Sequence, residues 1–412
     1  MVMKILFFSP GYAPAYKFGG PVASITATAE HLVKKGHQVF VFSTNFNLQE
    51  DLDVPTDCPI ERNGVIVWYF KRRNLISDFQ RFLPSFTRSV GFLFTPAMKK
   101  MIPKIIPQID IIHSHLPFVY PTYLAWCTSK IWNKPLFYHQ RNNFAPEYLR
   151  EGWLKKSIYL WAIEKRILRS VTTLIAFNEF EKENYRHLGI ENRCRIVPNG
   201  IDFQNFRRKP KNPHSSSVLS KIPLDGKLIL FLGRIHSCKG ADVLLKAFLK
   251  IGALHPKAFL VMAGPDEHSL VPEFQKEIEQ EGLQDRVIFP GMVSGDEKTD
   301  LLARADLFCL PSKSEGFSSA ILEALASYTP VLISPGCHFP EVAQFGAGRI
   351  VSSTPESFAQ GIHELLSAEG KLMEMGEKGR NLVEKDYNWE RIIERLVEAY
   401  EEGIKDYKQS KS

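Results

Sequence analysis

The feature that most restricts this chain is an alternation that starts twice. Short β-branched or aromatic runs, KILFFS, QVFVFS, VIVWYF, IDIIHS, PLFYH, TLIAF and RIVPN, are separated by longer stretches with helical spacing. A second series, LILFLG, AFLVMAG, RVIFPG, LFCLPS and PVLIS, repeats the plan. Strands that read as unbroken apolar runs between helices are buried on both faces, the condition of a parallel sheet covered by helices. Each series opens with a strand, a glycine-containing turn and a helix, so two doubly wound α/β sheets are expected rather than a solenoid. A length of 412 residues agrees, because it exceeds what one core usually organises. Between the series, NFRRKPKNPHSSSVLSKIPLDGK is rich in Pro, Ser and Lys and reads as an exposed connection. The expected plan is a first domain over 1–205, a linker over 206–225, a second domain over 226–385 and an amphipathic C-terminal helix over 386–412.

Several function classes fall away on composition. No apolar run approaches the roughly 18 residues of a spanning helix, and MVMKILFFSPGYAP meets Pro10 and Gly11 too early for a signal-peptide core. The six cysteines, Cys58, Cys127, Cys194, Cys238, Cys309 and Cys337, show no C-x-x-C spacing, which argues against a zinc site or disulfide framework and fits a reducing cytoplasm. The net charge of +7 is uneven: residues 1–205 hold 26 Lys and Arg against 16 Asp and Glu, and the remainder 26 against 29. In the front half the cations interleave with aromatics, as in Phe79 to Lys104 and around Trp153, Lys155, Lys156 and Trp161. Such stretches suit either an anionic membrane surface or amphipathic core helices with solvated basic faces. Nucleic acid is not expected, since no helix-turn-helix, zinc or RNP-type pattern accompanies the charge.

In open parallel sheets ligands collect beyond the carboxyl ends of the strands. Chemistry-bearing residues fall there repeatedly. After KILFFS, Gly19-Gly20 lets backbone approach a ligand before a helix opens; after LILFL come Gly233-Arg234 and then Lys239-Gly240 before another helix. Arg234 and Lys239 combine a forked guanidinium with a compact ammonium beside helix-start N–H groups, which suits a diphosphate. After LFCLPS comes SEGFSSAILE, with Glu315 and Glu323 eight positions apart. An ionised carboxylate only accepts hydrogen bonds and can hold vicinal hydroxyls, while the N–H groups near Gly316, Phe317 and Ser318 at the helix start suit phosphate oxygens. A D-x-D run, Asp51-Leu52-Asp53, lies in an acidic loop far from these motifs and reads as solvated surface.

The ordered set VPNGID, GRIHSCKGADVLLKAF, AGPDE and VIFPGMVSGDEKTDLLARADLFCLPSKSEGFSSAILEALASYTPVLIS resembles the retaining glycosyltransferases of family 4. The similarity is specific through the second half and thinner in the first, where it rests on PGYAP…GG, GHQVFVFST, DIIHSH and PLFYHQRNNF. The resemblance implies the GT-B fold, two Rossmann-like doubly wound domains facing across a cleft, and transfer of a sugar from a nucleotide diphosphate sugar to an acceptor hydroxyl. It implies that Glu315 lies against the donor sugar, that Glu323 accepts from the ribose hydroxyls, and that Arg234 and Lys239 stabilise the leaving diphosphate. By the same resemblance His115 faces the donor sugar and acceptor, His139 and Arg141 line the acceptor side, and Asn199 contacts the donor near its phosphates, although Asn-Gly is also a common turn. The second of two histidines at positions 113 and 115 is expected on a loop, with the strand ending near His113. Ser318-Ser319 departs from the commonest family form, in which Gly and a hydrophobic residue often follow Phe.

The chemistry so read needs no resident cofactor and no divalent metal, because a cationic pair is available to the leaving group. The partners implied are a nucleotide sugar and a lipid-linked or saccharide acceptor, in cell-surface polysaccharide or glycolipid synthesis, with the protein cytoplasmic or peripheral on the inner membrane face. Two rival classes share the motifs: a nucleotide-sugar epimerase of the same fold, and a sugar-nucleotide-binding regulatory module. The motifs read the shared diphosphate and ribose, and so leave base, sugar and acceptor open.

Overall fold

The computed structural model describes residues 2–411 apart from 49, 73–92, 143, 145–152, 191, 192, 211–216 and 268. Much of the basic aromatic stretch between Phe79 and Lys104 lies outside these residues. The chain divides into two compact units, Met1–Asn199 with Trp389–Ser412, and Gly200–Asn388. The crossing therefore falls after Asn199, and the segment read as a linker lies within the second unit. The reason is apolar: Val218, Leu219 and Ile222, scattered in a polar stretch, are buried in that unit's core.

The first unit is built on strands β1 (Lys4–Ser9), β2 (Gln38–Thr44), β5 (Pro59–Arg62), β6 (Val65–Phe70), β7 (Ile111–His115), β8 (Leu136–His139), β9 (Thr173–Ala176) and β10 (Cys194–Ile196); a short hairpin, β3 (Phe46–Asn47) and β4 (Glu50–Asp51), stands apart. The sheet order is β10-β9-β8-β7-β1-β2-β6-β5. All pairings are parallel except the edge strand β5. Alternation along β1 shows why the strands read as continuous apolar runs: Leu6 and Phe8 enter one core, Ile5 and Phe7 the other. The second core is closed by the Trp389–Gln409 helix, whose Trp389, Ile392, Ile393, Leu396, Ala399, Tyr400 and Gly403 are buried at helical spacing. Chain order reverses between β1 and β7, which makes the ends of those strands a topological switch point.

The second unit carries six parallel strands, β11 (Lys227–Leu232), β12 (Ala258–Ala263), β13 (Val287–Gly291), β14 (Leu307–Leu310), β15 (Val331–Ile333) and β16 (Gly348–Ile350), in the order β13-β12-β11-β14-β15-β16. Its switch point lies between β11 and β14. The sequence runs named above correspond to strands of both sheets, including the three-residue β10 and β15; β5, the β3–β4 hairpin and β16 have too few β-branched residues in a row to stand out.

Candidate active site

In the second unit the loops after β11 and β14 meet at the switch point. They approach closely because Gly240, at φ 72°, passes against the next loop; a Cβ there would lie 2.2 Å from the Pro311 carbonyl oxygen. Lys313 N donates to the Cys238 carbonyl at 2.9 Å, and Ser312 Oγ donates to the same oxygen at 3.1 Å. Glu315 N donates to the Gly336 carbonyl at 2.7 Å. On this frame Lys239 Nζ lies 2.7 Å from both carboxylate oxygens of Glu315. The pair is largely enclosed, with the Glu315 side chain 7% and the Lys239 side chain 23% exposed. Arg234 and Lys239, after β11, and Glu315, after β14, thus lie at one edge of the sheet, and Glu323 follows on the Ser319–Ala326 helix; each has a partner. Arg234 donates to Glu267 at 2.8 Å, and Lys298 donates to Glu323 at 2.8 Å.

The Ser319–Ala326 helix follows Ser318, which occupies the N-cap in extended conformation without a side-chain capping bond. The helix entrance therefore keeps backbone N–H groups available for an anion. The Phe317 ring turns elsewhere, packing at 5.7 Å from Phe339 and 5.9 Å from Tyr387, ring centre to ring centre. Its side chain serves the core, and the Ser318 hydroxyl stands at the helix start.

In the first unit the polar groups gather at the ends of β7 and β8. Strand β7 runs through His115, which sits in register with His139 of β8. The loop expected for His115 is therefore not found: hydrogen bonding to β8 extends the strand, so His113 and His115 share one face. Both are buried, His115 completely. The His113 Nδ1 and the Tyr400 hydroxyl of the C-terminal helix share a hydrogen bond of 2.6 Å. Burial, with Arg141 adding to it, holds His113 and His139 well below the ordinary histidine range; for His115 the neighbouring histidines add as well. One nitrogen from each of the three lies within 4.8 Å of the others. Such spacing resembles a metal set, but the Arg141 charge that disfavours imidazolium opposes a metal cation in the same way.

Arg141 is itself buried, which lowers its pKa to about 9 against the attraction of Glu181. Glu181 is pushed up to about 7 by burial, opposed by backbone N–H groups of Phe177 and Asn142 and by Arg141. Arg141 Nη1 donates to Ser24 Oγ at 2.7 Å, and Ser24 Oγ donates to Asn199 Oδ1. Asn199 thus belongs to a network with Arg141 and Ser24 of the Gly20–Lys34 helix. Gly19 precedes that helix at φ 75°, and a Cβ at either Gly19 or Gly20 would meet nothing within 4 Å. The left-handed φ explains Gly19, and the open space at both positions leaves their backbone accessible. Ser24, Glu181, Lys298 and Tyr400 escaped sequence reading; only Ser24, one turn past Gly19-Gly20, carried a local signal. Asp51 of the D-x-D run lies on the β3–β4 hairpin and pairs with Arg72 at 3.1 Å.

Two parallel-sheet α/β units, each with polar groups at its switch point, define the GT-B class of fold. Residues 217–382 match the family described as Glycosyl transferases group 1, and residues 18–205 match Glycosyltransferase Family 4. The chain belongs to the family 4 glycosyltransferases. It is 26% identical to an uncharacterized glycosyltransferase of Methanocaldococcus jannaschii, over 97% of this chain and 98% of that protein. It is 27% identical to the alpha-monoglucosyldiacylglycerol synthase of Streptococcus pneumoniae, over 80% of this chain and 70% of that one. Among solved structures, Anabaena HepE in complex with UDP-glucose superposes with a TM-score of 0.71 at 18% identity, covering 97% of this chain and all of that one.

Proposed function

We propose that this glycosyltransferase moves a sugar from a nucleotide diphosphate sugar to an acceptor hydroxyl with retention of configuration and without a divalent metal in the transfer step. The observation that carries the reading is the Lys239–Glu315 pair at the β11/β14 switch point, with Arg234 on the same loop. Arg234 and Lys239 take up the charge of the departing diphosphate. Glu315 orients the donor sugar and favours the positive charge that develops on it, and Glu323 accepts from the ribose hydroxyls. A carboxylate engaged through both oxygens by an ammonium is a poor covalent nucleophile, which favours a front-face path. In that path the bond from sugar to phosphate oxygen breaks as the acceptor oxygen bonds on the same face, and the leaving phosphate takes the hydroxyl proton. On the first unit His139 and Arg141 serve the acceptor side. His115, fully buried beside His139, acts as a positioning residue rather than by direct contact.

For the acceptor we propose a lipid-linked or growing saccharide chain at an anionic membrane surface on the cytoplasmic side. The basic front half supports this, as do Ile158 and Trp161, 60% and 76% exposed in the helical stretch before Lys165. The pneumococcal relative, an alpha-monoglucosyldiacylglycerol synthase, points the same way. No described helix is long and apolar enough to cross a membrane, so attachment would rest on cations worth about 1 kcal/mol each near an anionic leaflet. Purified protein incubated with labelled UDP- and GDP-sugars, with and without lipid-linked acceptors, should form a product with the anomeric configuration of the donor, and only when acceptor is present. A rearranged sugar nucleotide, or binding without turnover, would overturn the transfer reading. Equal sedimentation with neutral and anionic liposomes at low salt would remove the membrane part.

A further inference from the structure

Lys298 stands where helix electrostatics disfavours it. It lies in the first turn of the Gly295–Arg304 helix, next to Asp296 and Glu297, which are the residues that the positive end of a helix dipole attracts. A cation there runs against the local rule, and such violations mark a tertiary demand. The demand is visible: Nζ reaches across to Oε1 of Glu323 on the Ser319–Ala326 helix, at 2.8 Å. The two side chains are 31% and 18% exposed, so the pair is partly enclosed yet open to a ligand. The bond engages one carboxylate oxygen; among the described residues Oε2 accepts no hydrogen bond.

We propose that Lys298 is a positioning residue for the donor ribose, fixing Glu323 by one oxygen so that the other is held ready for the vicinal hydroxyls. The inference rests on the reading of Glu323 as the ribose acceptor. The physical reason is twofold. A carboxylate on a free side chain loses rotamer freedom when it binds, and a second contact made beforehand removes part of that cost. A bare carboxylate also repels the diphosphate that the same nucleotide carries, and the ammonium offsets that charge. Lys239 stands to Glu315 as Lys298 stands to Glu323, so each acid of the spaced pair has its own cation.

The test compares UDP with 2′,3′-dideoxyuridine diphosphate by titration calorimetry on the full chain, with the guanosine pair substituted if the wild type prefers GDP. Hydrogen bonds from ribose to a charged acceptor should make the hydroxylated nucleotide bind roughly tenfold tighter or more. In Lys298→Ala that ratio should fall to about twofold or less, with the melting temperature of the unliganded protein within about 2 °C of wild type. Lys298→Arg should restore most of the ratio. An undiminished ratio in Lys298→Ala, whatever its melting temperature, would reduce the residue to an ordinary ion pair and overturn the inference. Glu323→Ala separates the two levels: if it leaves the ratio intact, the ribose reading fails and the inference with it. If Glu323→Ala abolishes the ratio and Lys298→Ala does not, only the role of Lys298 is lost. Binding of neither nucleotide would overturn the nucleotide reading itself.

Discussion

Replacing Lys239 with Ala should separate stability from turnover, and the geometry sets both magnitudes. The substitution leaves Glu315, 7% exposed, without the ammonium that lies 2.7 Å from each of its oxygens. Removing one partner of a buried ion pair costs about 3–5 kcal/mol because the other charge stays desolvated. Lys239 is 23% exposed, and water that reaches its position lowers the expected cost to about 2–3 kcal/mol. In a unit of this size each kcal/mol moves the melting temperature by about 2–4 °C, so the second unit should melt about 4–12 °C lower. Glu315→Gln leaves an ammonium that can reach water and should cost about 1 kcal/mol. The double variant K239A/E315Q holds a neutral amide where K239A holds an unpaired carboxylate, so it should be about 1–2 kcal/mol more stable than the sum of the singles. Turnover should behave differently. Loss of a preorganised cation at the leaving group lowers kcat by about 10²–10³-fold, and relieving the stranded carboxylate returns none of it. Differential scanning calorimetry follows the two units without assuming that they melt together, and single-turnover transfer reads the chemical step. Additive melting shifts would show that the pair carries no coupling. Recovery of turnover in the double variant would show that Lys239 acts on Glu315 rather than on the diphosphate.

Arg234→Ala should give the complementary result, because its pairing with Glu267 is half exposed, at 46% and 42%, and contributes about 0–1 kcal/mol to stability. The melting curve should therefore hardly move while kcat falls about 10²–10³-fold, and near-wild-type turnover would end its assignment to the leaving group. The third prediction concerns pH. Glu164, fully buried in the first unit, has its pKa raised to about 7 by burial, against hydrogen bonds from the Tyr138 hydroxyl and the Phe118 backbone that hold it down. A raised folded-state pKa stabilises the protein below the ordinary carboxyl value near 4.5, and that stability is lost as pH climbs through about 7. The stability difference between wild type and Glu164→Gln should shift against wild type by about 1.4 kcal/mol per pH unit in this window, about 3 kcal/mol in all, measured by urea unfolding at stepped pH. A flat difference curve would show that the group ionises normally.

Where sequence and structure agree, the reason is locality. The strands were legible because burial on both faces leaves long apolar runs, and β1, β2, β11 and β12 are such runs. Glu315, Arg234 and Lys239 were legible because their motifs follow strand ends directly, and the order β12-β11-β14-β15 then brings those ends side by side. What escaped depends on partners distant in sequence. His113 meets Tyr400 across 287 positions, and Arg141 meets Ser24 across 117. The position of His115 was misjudged for a related reason: strand length is set by pairing with β8, and His115 continues β7 because His139 stands opposite. Polar residues at a strand end look like loop until the neighbouring strand is known. The segment 206–225 misled in the opposite sense, since its few apolar residues are enough to dock it on a core.

Three of the second unit's ion pairs give the proposed donor site a property that no single residue has. Arg234 with Glu267, Lys239 with Glu315 and Lys298 with Glu323 leave it internally neutralised when no ligand is bound. Cations held in this way stay at the sheet edge instead of spreading into solvent, so little reorganisation is needed when a diphosphate arrives. The incoming phosphate oxygens must share or replace the carboxylates as partners. A nucleoside has no anion to offer in that exchange, and a single phosphate offers less than two. In the proposed donor site, selectivity for a nucleotide diphosphate would follow from competition between two sets of oxygens for the same cations. The enclosure of the Lys239–Glu315 pair makes that competition weakly sensitive to salt, whereas the exposed Arg234–Glu267 pair supplies the part that ionic strength screens.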